Sequence, residues 1–188
     1  GRKSKNKSFF FNCFLSNSLD VEKVAKKISQ RYKKIDGFIH CAGVNQCIPS
    51  EKISLLNWQH VVSVNLTSAF SLIQGLTPLL KKSEGASIIN IGSTYGSWGP
   101  DHRLYDETKM GNPAAYAASK GGLIQLTRWL ATTLASSNIR VNTLSPGGVF
   151  RNQPDIFVQK YNARTPLGRM ATEDDFRGAI AYLASDLS

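Results

Sequence analysis

Apolar positions along this chain fall into blocks that alternate between two periods. Residues 20–34 set Val21, Val24, Ala25 and Ile28 on one face between charged positions, and this spacing predicts an amphipathic helix. Phe38-Ile39-His40-Cys41-Ala42 is a short apolar run and predicts a buried strand. Residues 55–81 return to the helical period and predict a long helix that ends near Pro78. Residues 87–92 form a second strand-like run, closed by Gly92 and Ser93. Residues 113–135 predict another helix with Pro113 at its first position, and residues 139–144 a third buried strand. Thr172 before Glu173, Asp174 and Asp175 reads as an N-cap with a negatively charged first turn, and a helix also covers Ala179 to Asp186. At the chain's start, residues 8–15 predict one further strand. Strands alternating with helices give an α/β fold, a parallel sheet covered on both faces. No internal repeat or low-complexity linker interrupts it.

Composition narrows this picture in three ways. At 188 residues the chain fits a single core, and no apolar run is long enough to span a bilayer. The formal charge of +10 is unevenly placed: ten Lys and Arg precede Ile35 against only Asp20 and Glu22, whereas the rest is nearly neutral. Lys3, Lys5 and Lys7 before Phe9-Phe10-Phe11 have the order of a secretory signal, but Asn12 and Ser16 interrupt the apolar stretch and no small-residue cleavage site follows. A phosphate-binding arm is the other sharp reading of that basicity. Without interleaved aromatics, Lys23, Lys26, Lys27, Arg31, Lys33 and Lys34 read instead as the solvated face of a helix. Neither nucleic acid nor membrane is therefore expected as a partner. Cys13, Cys41 and Cys47 form no C-x-x-C pair, and His40, His60 and His102 have no ligand-like spacing. No metal site is expected, and the protein is expected to be reduced and cytoplasmic.

The candidate chemistry sits in Ala115-Tyr116-Ala117-Ala118-Ser119-Lys120. Residues at i and i+4 share a helix face, so Tyr116 and Lys120 meet there. A free phenol titrates near ~10, and a neighbouring ammonium favours its ionised form. Such a pair alone usually marks a solvated helix face, but two other segments change that. Ser93 follows a buried strand, where open α/β sheets bind ligands. Asn65 lies within the apolar run Val61-Val62-Ser63-Val64-Asn65-Leu66, where an amide is expensive unless bonded.

With these residues the chain resembles the short-chain dehydrogenase/reductase family. Asn65, Ser93, Tyr116 and Lys120 match the family's catalytic set in order and context. His40-Cys41-Ala42-Gly43 stands at its Asn-Asn-Ala-Gly element, Ser145-Pro146-Gly147-Gly148 at its Pro-Gly motif, and Pro166-Leu167-Gly168-Arg169 at an element after the substrate loop. The likeness runs from about Asp20 to the last residue. It implies a Rossmann-like, doubly wound parallel sheet and an NAD- or NADP-dependent oxidoreductase of secondary alcohols or ketones acting on a small molecule. By that likeness Tyr116 passes a proton to or from the substrate oxygen, and Ser93 hydrogen-bonds that oxygen. Lys120 favours the phenolate and holds the nicotinamide ribose, and Asn65 holds a water linking Lys120 to solvent. Cys41, Ala42 and Gly43 meet the cofactor near the strand end, and Pro146, Gly147, Gly148 and Val149 lie along the nicotinamide. The resemblance also makes the Asn65 and Tyr116 helices an oligomer face. Gly121 and Gly122, costly inside a helix, are read as the sign of a close helix contact there.

The chain also departs from the family. It holds no Thr-Gly-x-x-x-Gly-x-Gly turn, the element that brings backbone to the cofactor pyrophosphate. Residues 8–15 correspond to the family's third strand, and no carboxylate stands at Cys13 to Leu15. The expectation is thus one domain over residues 1–188, a fold incomplete at both ends, lacking its first two strands with their helices and its final strand. The residue that selects NAD over NADP is also lacking. Ser93 and Tyr116 lie 23 positions apart, a longer interval than is usual in the family. The added residues include Trp98, Asp101, His102, Arg103, Tyr105 and Lys109, a polar cover over the site mouth, with His102, Arg103 and Lys109 candidates for an anionic group or for mere solvation. Such a cover suits a polyhydroxylated or anionic substrate and resembles the branch that serves bacterial surface-sugar and flagellin glycan synthesis. Residues 149–165, with Arg151 and Arg164, are expected to be a mobile second cover. The alternative is a non-catalytic remnant that acts only through helix-mediated association, with itself or an intact relative.

Overall fold

The computed structural model describes residues 8–46 and 48–188. The basic residues before Ser8, and Cys47, lie outside the described residues. Elements follow in the order α1 (Ser18–Arg31), β1 (Gly37–His40), α2 (Leu55–Val62), α3 (Ser68–Leu80), β2 (Ala86–Ile91), α4 (Ala114–Leu134), β3 (Ile139–Leu144), α5 (Asp155–Arg164) and α6 (Asp174–Ala184). A π-helical turn, Ser63–Thr67, joins α2 to α3.

The strands form one parallel sheet in the order β1-β2-β3, with Gly37 opposite Ser87 and Ala86 opposite Ile139. Side-chain alternation assigns each face of β2 and β3 to different helices. Ala86 and Ile88, with Ile139 and Val141, bury against Ile73, Leu76 and Leu80 of α3, Leu130 and Leu134 of α4 and Ala25 of α1. On the other face Ser87 donates to Leu183 O at 2.6 Å, and Arg140 donates to Leu183 O at 3.1 Å, which seats α6. Helices on both faces of a parallel sheet are the architecture that the alternating periods predict.

The corrections are local. Residues 8–15 form no strand. Among the described residues β1 pairs only with β2, and residues 8–15 do not join its free edge. Phe9 instead packs on the end of α1, with the Arg31 guanidinium 3.5 Å from its ring centroid. α1 starts at Ser18, because the Asn17 side chain accepts from Leu19 N and Asp20 N, and it stops at Arg31 where Tyr32 turns extended. Lys33 and Lys34 therefore lie beyond the helix. α3 runs through Pro78 to Leu80, since a proline this close to the end forfeits little of the helix ladder. Pro113 caps α4 rather than opening it. Thr172 does not cap α6 through its own oxygen: Asp175 reaches back to accept from Thr172 N at 2.7 Å. The segment expected to be a second loop contains a helix, α5.

Candidate active site

The three strand ends and the loops that follow them open into one cleft of about 660 Å3. Cys41, Gly43, Ser93, Tyr116, Lys120, Pro146, Gly147, Gly148 and Val149 all line it. Ala42 and Asn65 do not.

β2 delivers Ser93 through Gly92, whose backbone lies so close to β3 that an added Cβ would stand 2.6 Å from Thr143 Cγ2 and 2.7 Å from Ser145 Oγ. Ser93 Oγ accepts from Tyr95 N at 3.2 Å, which leaves its hydroxyl proton for the cleft. α4 delivers Tyr116 in its first turn and Lys120 one turn later. Lys120 is 4% exposed, and its Nζ donates to Ile91 O at 2.6 Å. That ammonium stands 5.8 Å from the Tyr116 ring centroid. Burial pushes the Lys120 pKa down, and the nearby Cys41 thiol opposes it.

Asn65 is fully buried at the π-helical turn, a wide turn of the kind often found beside functional sites. Its Oδ1 accepts from Val44 N at 2.7 Å, and its Nδ2 donates to Val44 O and to Ser119 Oγ, each at 3.0 Å. Ser119 Oγ in turn donates to Tyr116 O at 2.8 Å. The amide that looked expensive in the sequence is thus bonded on both ends, and it ties the loop after β1 to the first turn of α4. Gly43 lies over this junction, where an added Cβ would stand 3.5 Å from Lys120 Nζ and 3.6 Å from Asn65 Oδ1. The glycine leaves the floor of the cleft open at the ammonium.

Pro146 to Val149 form the opposite wall. Thr94 N donates to Pro146 O at 3.0 Å, and Gly148 O accepts from Ala171 N at 2.9 Å. Over the mouth, the long interval after Ser93 and α5 meet as one cover. Leu104, Phe157 and Met170 are buried together, with Tyr105, Met110, Val158 and Tyr161 around them. Asp101 receives Arg103 at 2.8 Å and Arg164 at 3.1 Å, and Lys160 pairs with Glu107 at 3.2 Å. The two guanidiniums, Arg103 first, hold the Asp101 carboxyl down to about 2. Arg103 and Arg164 are therefore engaged by a carboxylate, and Arg151 pairs with Glu173 at 2.8 Å.

Two site residues, Tyr95 and Tyr161, escaped the sequence reading, and Tyr105 was placed in the cover without a partner. Tyr95 and Tyr105 share a hydrogen bond of 2.7 Å between their hydroxyls, and Tyr161 Oη accepts from Gly148 N at 2.5 Å. Burial pushes the Tyr95 phenol up. The signal for Tyr161 lay in Phe157, Val158 and Tyr161 at helical spacing after Pro154, a pattern that marks a helix rather than a loop. Tyr95 and Tyr105 carried no such signal, since nothing in their separation shows that their hydroxyls meet. Among the described residues no cluster of His, Cys, Asp or Glu could hold a metal, and no helix is long and apolar enough to cross a membrane.

Known proteins bear on this arrangement. The family model described as enoyl-(acyl carrier protein) reductase matches residues 2–188. A 3-oxoacyl-[acyl-carrier-protein] reductase of Thermotoga maritima is 32% identical over 174 residues, which cover 89% of this chain and 66% of that protein. The post-translational flagellin modification protein A of Campylobacter coli is 34% identical over 172 residues, covering 85% of this chain and 64% of that protein. The chain thus spans slightly under two thirds of each relative. A crystal structure from Leptospira borgpetersenii with bound NAD+ superposes with a TM-score of 0.86 at 37% identity, covering 94% of this chain and 68% of the other.

Proposed function

The chain belongs to the short-chain dehydrogenase/reductase family, and from that premise we propose that it serves a nicotinamide-dependent oxidoreductase interconverting a secondary alcohol and a ketone on a sugar-derived substrate. The observation that carries this reading is the common cleft of Ser93, Tyr116 and Lys120. Two hydroxyls and a buried ammonium converge there at the carboxyl end of β2. A bound nicotinamide supplies or accepts the hydride. Tyr116 exchanges the proton with the substrate oxygen, and Ser93 donates to that oxygen where negative charge develops. Lys120, held by Ile91 O, presents its remaining protons to the ribose and its charge to the phenol. Asn65 keeps the first turn of α4 in register with the loop after β1.

The residues present fit the nicotinamide half of the cofactor. The Gly43 gap leaves the cleft open at Lys120, and the backbone of Gly147 and Gly148 lines the same cleft with the Tyr161 ring packed on it. The NAD+ of the Leptospira relative supports that cofactor class. The preference between NAD and NADP is left to calorimetric titration with each.

The names of the two curated relatives divide the substrate reading between an acyl thioester and a flagellin modification precursor. The hydroxyl-rich cover supports the latter. Tyr95, Tyr105, Tyr161, Asp101 and Gln153 border the cleft and offer donors and acceptors to a polyhydroxylated ring. The remnant alternative is not favoured beside relatives named as reductase and dehydrogenase.

The deciding assay follows NADH or NADPH oxidation with a keto-sugar and with an acetoacetyl thioester. Tyr116→Phe should lower turnover by roughly 10^2- to 10^4-fold, the usual worth of a positioned acid/base group. Undiminished turnover in that variant would remove the mechanism. Reduction of the thioester alone would remove the sugar substrate.

A further inference from the structure

We propose that Tyr161 is a positioning residue, which couples the cover of the cleft to the backbone that would carry the nicotinamide; this rests on the oxidoreductase reading above.

Two features of the Gly147-Gly148 backbone lead to it. First, the Gly148 peptide is held from both sides by the cover. Its N–H donates to Tyr161 Oη of α5 at 2.5 Å, and its carbonyl accepts from Ala171 N at 2.9 Å. Second, the phenol lies directly on this backbone. An added Cβ would stand 2.9 Å from Tyr161 Oη at Gly147, and 2.7 Å from Tyr161 Cζ at Gly148. Those distances are shorter than real side chains tolerate, so the two glycines and the tyrosine form one device. Without glycine at both positions the phenol could not reach the amide.

The same helix is bound to the long interval after Ser93. Phe157, one turn before Tyr161, has its ring centroid 5.9 Å from the Tyr161 ring and 5.5 Å from the Tyr105 ring. On the flanks of Tyr161, Lys160 pairs with Glu107 and Arg164 with Asp101. A displacement of that interval is therefore carried by α5 to the phenol. The phenol then fixes or releases the Gly148 N–H, a donor that borders the cleft. Preorganised backbone of this sort raises affinity by removing ordering cost from the binding step. The state of the cover over the substrate would set how firmly the cofactor's backbone rest is held.

Hydrogen exchange at the Gly148 amide reads this coupling without any cofactor. In Tyr161→Phe, which keeps the ring and removes the acceptor, Gly148 should exchange roughly five- to tenfold faster, while the α5 amides keep their protection. Arg164→Gln cuts the link to Asp101 from outside the cleft and should speed Gly148 exchange by a smaller factor. Unchanged Gly148 exchange in either variant would overturn the proposal. So would equal acceleration of Gly148 and all of α5, because that would reduce Tyr161 to a packing residue. Calorimetry should then show weaker NADH or NADPH binding in Tyr161→Phe than in the parent chain. Failure of the parent chain to bind either nucleotide would instead overturn the oxidoreductase reading, with the exchange result still deciding the coupling.

Discussion

His40 shows how a single side chain in this fold sets a condition on stability. It ends β1, is 3% exposed, and its Nε2 stands 3.3 Å from Ser68 Oγ. Ser68 Oγ already donates to Val64 O, so Nε2 carries the proton and donates while the ring stays neutral. Burial first, and the Lys120 charge second, lower its pKa to about 4. An unfolded histidine takes up its proton near ~6.5. Between these values the unfolded chain binds the extra proton, so stability is complete above pH ~6.5 and is lost as pH falls toward 4. The loss attributable to this residue approaches about 3 kcal/mol. Urea denaturation at neutral and mildly acid pH should show it, and His40→Asn should flatten the dependence. Parallel losses in parent and variant would assign the acid sensitivity elsewhere. Asn65 illustrates the same scale from the other side: its type and position were legible in the sequence, and its partners, Val44 and Ser119, were not.

Among the elements, α4 governs the site because the turn after Ser93 and the π-helical turn are both pressed against it. The turn after Ser93 approaches so closely that a Cβ on Gly96 would stand 2.7 Å from the Lys120 carbonyl carbon and 2.8 Å from its oxygen. Backbone cannot yield as a side-chain tip can. Gly96→Ala should therefore cost about 1–3 kcal/mol by forcing the turn off the helix. Gly99→Ala, which meets nothing within 4 Å, should stay within about 0.5 kcal/mol of the parent. Denaturant midpoints compare the two, and equal midpoints would show that the turn is free to move. Gly121 and Gly122 belong to the same logic. Added Cβ atoms would stand 3.2 Å from Gly96 O and 2.7 Å from Leu66 Cδ2, so the close contact these glycines foretold lies within the chain. Strand and helix identities followed from period alone. Ser8 to Leu15 did not, because a strand needs a ladder partner that no local pattern supplies.

For the molecule as a whole, the glycines no longer argue for self-association, but the surface does. Leu55 and Leu56 on α2, Phe70 on α3 and Trp129 on α4 are exposed large apolar side chains on the helices that carry Asn65 and Tyr116. Gathered into one patch, such side chains would mark a contact site. A dimer or tetramer is expected by light scattering at high micromolar concentration, and Leu56→Glu with Trp129→Glu should lower the mass to that of one chain. A parent chain that is already monomeric would end this expectation.

The sequence by itself determined the parallel α/β order and the family. It also singled out Asn65, Ser93, Tyr116 and Lys120 as candidates, because periodicity and short motifs are local properties of a chain. Only the tertiary structure decided which groups share a bond across distance. It joined Asn65 to Val44 and Ser119, Asp101 to Arg164, and Tyr161 to Gly148. It also turned an expected mobile loop into α5, a helix stabilised by an apolar face that exists only where Leu104 and Met170 meet Phe157. Hydrogen-bond partners and packed faces depend on where the sheet brings distant segments together, and that placement is not written at either partner's position.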